Sequence, residues 1–308
     1  MSGATLSHYA QYYGIRGSAA ALRRLSFERA GAIGERIGVL GYKPLGIRRA
    51  VVERQVAAAF PGLSEQEVAR IARASYASLG RTTIETALLP TYSREQVLSL
   101  VQEVTGWDLV ERALAQGRGF MIVTGHLGNW ELGGSYVAAR GVPLEAVARR
   151  MENPLFDHYL TETRRRIGMT VIHDADAVRR VPRALREQHS VAFLIDQGAV
   201  GLASTWVPFF GRYAKTPRGP AVFALRLRAP LLFACALRQP NGRFVIHFEE
   251  VPIEQTGTLD ADVDRIVASY TSTLERWVRR APEQYFWHHR RWKHQRPGTP
   301  PELGDPSK

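Results

Sequence analysis

Past residue 115 the chain alternates between short apolar runs, rich in β-branched and aromatic residues, and longer segments with helical spacing. Strand-like runs fall near 120–124, 144–148, 170–172 and 190–195, separated by helical stretches after 129, through 155–167 and near 177–188. Such alternation predicts a sheet of parallel or mixed strands covered by helices, because each crossover helix must bury its apolar stripe against the sheet it spans. Leu231 to Leu237 and Phe244 to Phe248 read as a β-pair turned at Pro240-Asn241-Gly242, and Val263, Ile266, Val267, Tyr270, Leu274, Trp277 and Val278 form a helical stripe of core residues. Residues 1 to about 90 read as helices interrupted at Pro61-Gly62, with Ser64-x-x-Glu67 and Ser93-x-x-Gln96 as capping boxes. The expected fold is therefore α/β, with a mixed, largely parallel central sheet flanked by helices and a helical N-terminal layer. Residues 1–90 form that layer, 91–297 the α/β core of the same domain, and 298–308 a flexible tail.

Composition narrows the function classes. With 45% hydrophobic and 23% charged residues among 308, the chain can bury an ordinary globular core. Its formal charge of +12, carried mostly by arginine, implies an anionic partner, for which nucleic acid, lipid phosphate and an anionic membrane surface all qualify. Arginine adds a planar fork that binds phosphate bidentately. Cys235, the single cysteine, lies in an apolar strand-like run and reads as core; one cysteine cannot form an internal disulfide. No run approaches the roughly 20 apolar residues that span a bilayer, and no signal peptide is evident. Leu22, Leu25, Ile33, Ile37 and Leu40 among Arg23, Arg24, Arg29 and Arg36 suit either a helix lying at a lipid interface or one packed on the domain.

The chemistry concentrates where the strand near 120–124 gives way to a helix. His126 precedes Glu131 by five residues across Gly125, Gly128 and Asn129. On a continuous helix, positions five apart lie about 140° from each other, so the two can meet only if His126 sits on the turn and Glu131 reaches back. This predicts a loop-borne imidazole held by a helix-borne carboxylate.

The run Gly125-His126-Leu127-Gly128-Asn129-Trp130-Glu131 resembles the His-x4-Asp/Glu motif of the lysophospholipid acyltransferase superfamily, in the version of its lipid A acyltransferase branch. Further motifs follow in the order expected for that branch: Arg149-Arg150-Met151-Glu152-Asn153-Pro154-Leu155-Phe156-Asp157, then Trp206-Val207-Pro208-Phe209-Phe210-Gly211 with Thr216-Pro217-Arg218-Gly219, then Pro282 to Lys293. The resemblance covers residues 20 to 297. One departure is Arg226-Leu227-Arg228, where the family often has a glycine. The resemblance implies a glycerol-phosphate acyltransferase-like fold and transfer of a fatty acyl chain from an acyl-carrier-protein or CoA thioester to a hydroxyl of a phosphorylated glycolipid, a lipid A precursor. It also implies a peripheral protein on the cytoplasmic face of the bacterial inner membrane.

Such a transfer requires a base for the attacking hydroxyl, a stabiliser for the oxyanion and release of the thiol, and it requires no enzyme nucleophile or cofactor. His126 is the expected general base and Glu131 its orienting acid. Backbone N–H groups of Gly128 and Asn129 are candidates for the oxyanion. Arg150 and Asn153, from the second motif, and Arg164, within the run Arg164-Arg165-Arg166, are expected to grip phosphate, although a triple arginine is also a common solvated helix face. Asp196 and Gln197 line the acceptor site or cap a helix. Thr216 and Pro217 are expected to begin a helix whose N–H groups, with Arg218, bind phosphate. Trp206, Pro208, Phe209 and Phe210 suit a core plug or the wall of an acyl groove.

The ending His288-His289-Arg290-Arg291-Trp292-Lys293 lacks the ligands of a metal site and any nucleic-acid motif, so neither metal nor nucleic acid is expected. At a membrane its aromatics would serve as anchors and its arginines as lipid-phosphate contacts. Two alternatives stand beside the leading reading: an acyltransferase for phosphatidylinositol mannosides or another glycolipid, and a basic membrane- or nucleic-acid-binding protein in which His126 and Glu131 are structural. A serine esterase is disfavoured by the lack of a Gly-x-Ser-x-Gly elbow.

Overall fold

The computed structural model describes residues 5–198 and 203–308. Four helices come first: α1 (Leu6–Leu22), α2 (Phe27–Tyr42), α3 (Arg49–Ala59) and α4 (Glu65–Leu88). Both predicted capping boxes form. Ser64 Oγ accepts from Glu67 N at 3.3 Å while Ser64 N donates to the Glu67 carboxylate at 2.8 Å, and Ser93 and Gln96 repeat the arrangement at the start of α5 (Arg94–Ser99). The basic amphipathic run does not form one helix. It breaks at Arg23 to Ser26, and Ser26 caps α2. α2 then packs on α4 through Gly31, Gly34 and Gly38, leaving Ile37 and Leu40 exposed. Among the described residues no helix is long and apolar enough to cross a membrane.

The central sheet has seven strands: β1 (Val101–Thr105), β2 (Met121–Thr124), β3 (Leu144–Ala148), β4 (Met169–His173), β5 (Ser190–Leu194), β8 (Leu231–Arg238) and β9 (Phe244–Glu250). Their order is β1-β9-β8-β2-β5-β3-β4. The block β8-β2-β5-β3-β4 is parallel, as the alternation predicts, and β9 turns back antiparallel to β8 with β1 parallel to it at the edge. α6 (Trp107–Ala115), α7 (Trp130–Ala139) and α8 (Pro154–Arg166) belong to the first part of this core, and α9 (Ala177–Arg186), α10 (Gly219–Leu227) and α11 (Leu259–Arg280) to the second.

Two apolar cores result, one on each face of the sheet. Phe120, Ile122, Leu132, Tyr136, Leu144 and Met169 belong to one; Met121, Val123, Val181, Phe193, Val267 and Leu274 belong to the other. Neighbouring residues of one strand enter opposite cores, as the period of two requires.

Three expectations need correction. Thr216 and Pro217 do not start a helix. They end β7 (Arg212–Pro217), which pairs antiparallel with β6 (Ser204–Phe209) so that Thr205 faces Thr216 and Ser204 faces Pro217. The proline is tolerated at a strand end, where no ladder N–H is needed, and Pro220 supplies the helix-start proline of α10 instead. The aromatics of the terminal segment are not surface anchors. Trp287 and Trp292 are fully buried, with their indole N–H groups donating to the Pro282 and Phe209 carbonyls. Buried Arg291 donates to Lys215 O at 2.7 Å and Thr216 Oγ1 at 2.5 Å. Phe209 and Phe210 join this cluster, Phe209 lying 5.9 Å from the Trp292 ring, and therefore act as core plug.

Residues 298–308, expected to be a flexible tail, make specific contacts with the body: Arg212 donates to Gly304 O at 2.9 Å, and Asp305, whose side chain is buried, pairs with Arg290. Arg228, in the Arg226-Leu227-Arg228 run that departs from the resembling motif, ends α10 at φ +51°. Cys235 is buried, as expected, and burial pushes its thiol far above the usual range.

Candidate active site

The parallel register between β2 and β5 builds the site. Thr124 faces Leu194, and Ile195 N donates to Thr124 O at 3.0 Å. Two residues beyond that pair stand His126 and Asp196, so adjacent strands deliver them side by side. Nδ1 of His126 lies 2.7 Å from Oδ1 of Asp196, and the His126 backbone N–H donates to Oδ2 at 2.8 Å. The opposite ring nitrogen, Nε2, lies 3.2 Å from the Gln197 amide nitrogen. Because the carboxylate accepts the Nδ1 proton, Nε2 carries the lone pair and Gln197 donates to it. Trp130 and Phe286 hold the imidazole faces, with ring centroids at 4.8 and 5.7 Å.

Asp196 is buried, which alone would raise its carboxyl pKa. Attraction to the His126 imidazole and its ring N–H, the His126 backbone N–H and the nearby Arg291 guanidinium outweigh that effect and hold it at about 2. Burial, and after it the charge of Asp196, push the Tyr285 phenol well above its usual range, so it stays neutral.

The turn between strand and helix is pinned on several sides. Gly128, at φ +65°, sits where a Cβ would fall 2.0 Å from the Ala236 carbonyl, so only glycine fits. Gly128 N donates to Gln284 O at 3.0 Å, Asn129 N to Ala236 O at 2.9 Å, and Phe286 N to His126 O at 2.9 Å. The Asn129 side chain caps α7 by accepting from Leu132 N at 3.0 Å and donates to fully buried Glu85 at 3.0 Å. The two N–H groups expected to receive an oxyanion are thus already engaged in the turn.

Glu131 does not reach back to His126. It lies on the face of α7 toward α8, where Arg164 donates to both carboxylate oxygens, at 2.5 Å from Nη2 and 3.2 Å from Nε. The expectation of a helix-borne brace fails because the strand neighbour presents a carboxylate closer to Nδ1 than the helix can. Glu131 and Arg164 instead form part of the wall of the cavity into which His126 opens.

That cavity, of about 460 Å³, runs across the carboxyl edge of the sheet. Its apolar wall draws on both hydrophobic cores, with Leu144, Met169 and Ala192 from one and Val147, Ala177, Phe193 and Phe223 from the other. Around the base the walls turn polar with Thr124, Gln197, Glu131 and Arg164, and toward β3 and β4 with Arg149, Asp157, His173 and Asp174. An apolar wall beside a base, with charged groups in the same lining, suits a substrate that has long hydrocarbon and polar parts.

The remaining candidates divide. Gln197 and Arg164 line the cavity, and Asp196 lies directly behind the imidazole. Arg150 is exposed and outside the cavity walls, where its neighbour Arg149 stands instead. Asn153 caps α8, accepting from Leu155 N at 3.0 Å and Phe156 N at 3.3 Å, and donates to His8 O at 3.2 Å. Arg218 is not part of the cavity wall, although its neighbours Pro217 and Gly219 are, and it pairs with Asp260 at 2.7 Å. Sequence reasoning missed the pairing of His126 with Asp196, although the signal was present: two apolar strands, each followed at the same offset by a polar residue. It also missed Arg149 and His173, which show themselves only once β3 and β4 align.

The model of the bacterial lipid A biosynthesis acyltransferase family matches residues 4–294. The chain belongs to this family. It is 29% identical over 262 residues to the lipid A biosynthesis palmitoleoyltransferase of Escherichia coli (strain K12), covering 85% of this chain and 84% of that one. It is 28% identical over 265 residues to the lipid A biosynthesis lauroyltransferase of the same organism, covering 86% and 85%. A phosphatidylinositol mannoside acyltransferase of Mycobacterium tuberculosis (strain ATCC 25618 / H37Rv) is 29% identical over 163 residues, 52% of each chain. As a member of this family the protein is an acyltransferase, and the cavity at His126 is its candidate active site.

Proposed function

We propose that this acyltransferase moves a fatty acyl chain from an acyl-carrier-protein or CoA thioester to a hydroxyl of a phosphorylated glycolipid, a lipid A precursor, with His126 as general base. The observation that carries the reading is the ordered line from Asp196 through His126 Nδ1 to a lone pair on Nε2 that faces an apolar cavity. Nε2 takes the acceptor hydroxyl proton as the oxygen attacks the thioester carbonyl. The new C–O bond gives a tetrahedral oxyanion, its collapse breaks the C–S bond, and the imidazolium returns its proton to the departing sulfur. Asp196 keeps the Nδ1 proton in place and stabilises the imidazolium without taking that proton.

Gln197 is the oxyanion donor in this scheme. Its amide already lies at the base, and an arriving acceptor hydroxyl that replaces it at Nε2 leaves its N–H free to turn toward the developing charge. Glu131 and Arg164 tie α7 to α8 at the cavity wall. Arg149 and His173 on the rim meet the polar part of the acceptor. The reaction would take place at the cytoplasmic face of the inner membrane with the protein bound peripherally, which is supported by the exposed apolar residues of the N-terminal helices.

The test is to incubate pure protein with acyl-carrier-protein or CoA thioesters and a panel of hydroxylated glycolipids, reading products by mass. Addition of one acyl group to a lipid A precursor, lost in a folded His126→Ala variant, is the expected result. Full transfer by that variant refutes the base assignment. Acylation of phosphatidylinositol mannosides alone would select the second reading, which the similarity over half of the mycobacterial enzyme supports.

A further inference from the structure

α8 has a second concavity on its other side. Asp157, Leu160, Thr161 and Arg164 face the main cavity, whereas His158, Tyr159, Glu162 and Arg166 line a cup of about 250 Å³ closed by α1 and by the turn after α4. The three- and four-residue spacings place the two sets on different faces of the helix.

The cup is strongly cationic. Arg16, Arg23 and Arg166 converge on it with His158. Arg16 donates to the Tyr12 hydroxyl at 2.8 Å, and Tyr12 meets Tyr159 edge-on at 6.2 Å, so the walls are ordered aromatic rings with polar tips. Its one carboxylate, Glu162, is turned to Arg165 at 3.0 Å. Among the described residues neither Arg23 nor Arg166 has a carboxylate within ion-pair distance. Three guanidinium groups gathered in a concave site whose lining carries one carboxylate, itself paired with Arg165, suit the oxygens of a phosphate.

The outer side of α1 indicates where that phosphate comes from. Leu6, Tyr9 and Tyr13 are exposed at 86%, 44% and 63%. Exposed tyrosines beside an apolar residue and above arginines form the pattern of the headgroup layer, where rings lie among acyl chains and hydroxyls meet water. We propose that the cup between α1 and α8 binds the phosphate of an anionic glycerophospholipid, seating α1 in the headgroup layer. None of its residues lines the cavity at His126, so this site can fail without affecting the catalytic reading, and the reverse.

Flotation of the full chain with phosphatidylcholine vesicles, with and without phosphatidylglycerol, tests the proposal. A juxtamembrane arginine contributes roughly a fivefold gain in affinity, so Arg23→Ala with Arg166→Ala should weaken binding to the anionic vesicles on the order of thirtyfold. An Arg179→Ala with Arg186→Ala control removes the same charge from exposed α9 and should lose far less. Circular dichroism melts identify any variant that fails to fold, and the Arg23→Lys with Arg166→Lys variant then carries the comparison, with partial binding expected because lysine supplies charge without the fork. Equal losses in the α9 control, or flotation of the alanine pair at the wild-type level, would overturn the proposal. Saturable binding of inorganic phosphate at the cup without preference for anionic vesicles would overturn the lipid assignment in favour of free phosphate.

Discussion

His126 and Asp196 are joined twice, ring to carboxylate at 2.7 Å and backbone to carboxylate at 2.8 Å. A carboxylate that binds both the imidazole and its peptide fixes the ring's position as well as its tautomer. The first prediction separates those effects from Glu131. Asp196→Asn should reduce kcat by about 10²–10⁴, the span attributed to a positioned general base, because the amide no longer enforces a proton on Nδ1. Glu131→Gln should reduce it far less at a temperature where the variant is folded. Steady-state rates on one donor and acceptor decide the matter, and an opposite ranking would restore Glu131 as the brace.

Glu131 and Arg164 form a bidentate pair in a largely dry setting, with side chains 9% and 16% exposed. Removing one partner leaves an uncompensated charge. Glu131→Gln or Arg164→Met should each destabilise by about 2–4 kcal/mol, and the double variant should lose less than the sum. Urea unfolding of the three variants measures the coupling, and additive losses would mean that solvent screens the pair.

Acid titration should expose Asp196 as a stabilising group. Its folded carboxyl titrates at about 2 against an ordinary value of 3.8. The folded state therefore gains stability above the ordinary value and loses it as pH falls through the folded one, an effect of about 2 kcal/mol. The stability gap between wild type and Asp196→Asn should be constant at neutral pH and narrow from about pH 4 downward. A gap that stays level to pH 2 would refute the assignment.

Arg228 holds φ at +51° at the end of α10. Left-handed backbone costs a non-glycine residue about 1–2 kcal/mol, from which glycine's greater unfolded entropy must be subtracted. Arg228→Gly should raise stability by about 0.5–1 kcal/mol without altering activity, as read by thermal melts. The Arg118 contact to this residue, at 3.2 Å, uses the Arg228 carbonyl and survives the change.

Filling the cavity from different walls tests which part of it takes the donor chain. Ala146→Leu narrows it from β3, and Ala177→Leu from α9. The variant that shifts donor preference toward shorter acyl chains identifies the donor side. The other should raise the acceptor KM with little change in donor preference, and identical effects from both would show that donor and acceptor are not divided between these walls.

The alternation after residue 115, the helical stripe in α11 and both capping boxes were readable because they depend on local periodicity and on side chains that cap their own backbone. The site was legible only in part. His126 stood out because a polar residue just after an apolar strand is conspicuous, but its partner came from a strand about 70 positions later in sequence. Parallel register is set by tertiary packing, so nothing within the motif showed that β5 would lie beside β2. Thr216-Pro217 misled for a related reason: a proline that opens a helix and one that closes a strand look alike until the pairing partner is known. Trp287, Trp292 and Arg291 read as a membrane fringe because composition does not distinguish aromatic and basic groups facing lipid from those packed inward with their polar atoms satisfied.

The cavity lies between two cores and is bounded by residues from each. A hydrocarbon chain settling there fills a gap in the protein's own interior, so ligand and fold share one free-energy balance. Substrate would thus act as a removable piece of the architecture: the loaded enzyme would be the better-packed molecule, and each turnover would return it to its more loosely filled form.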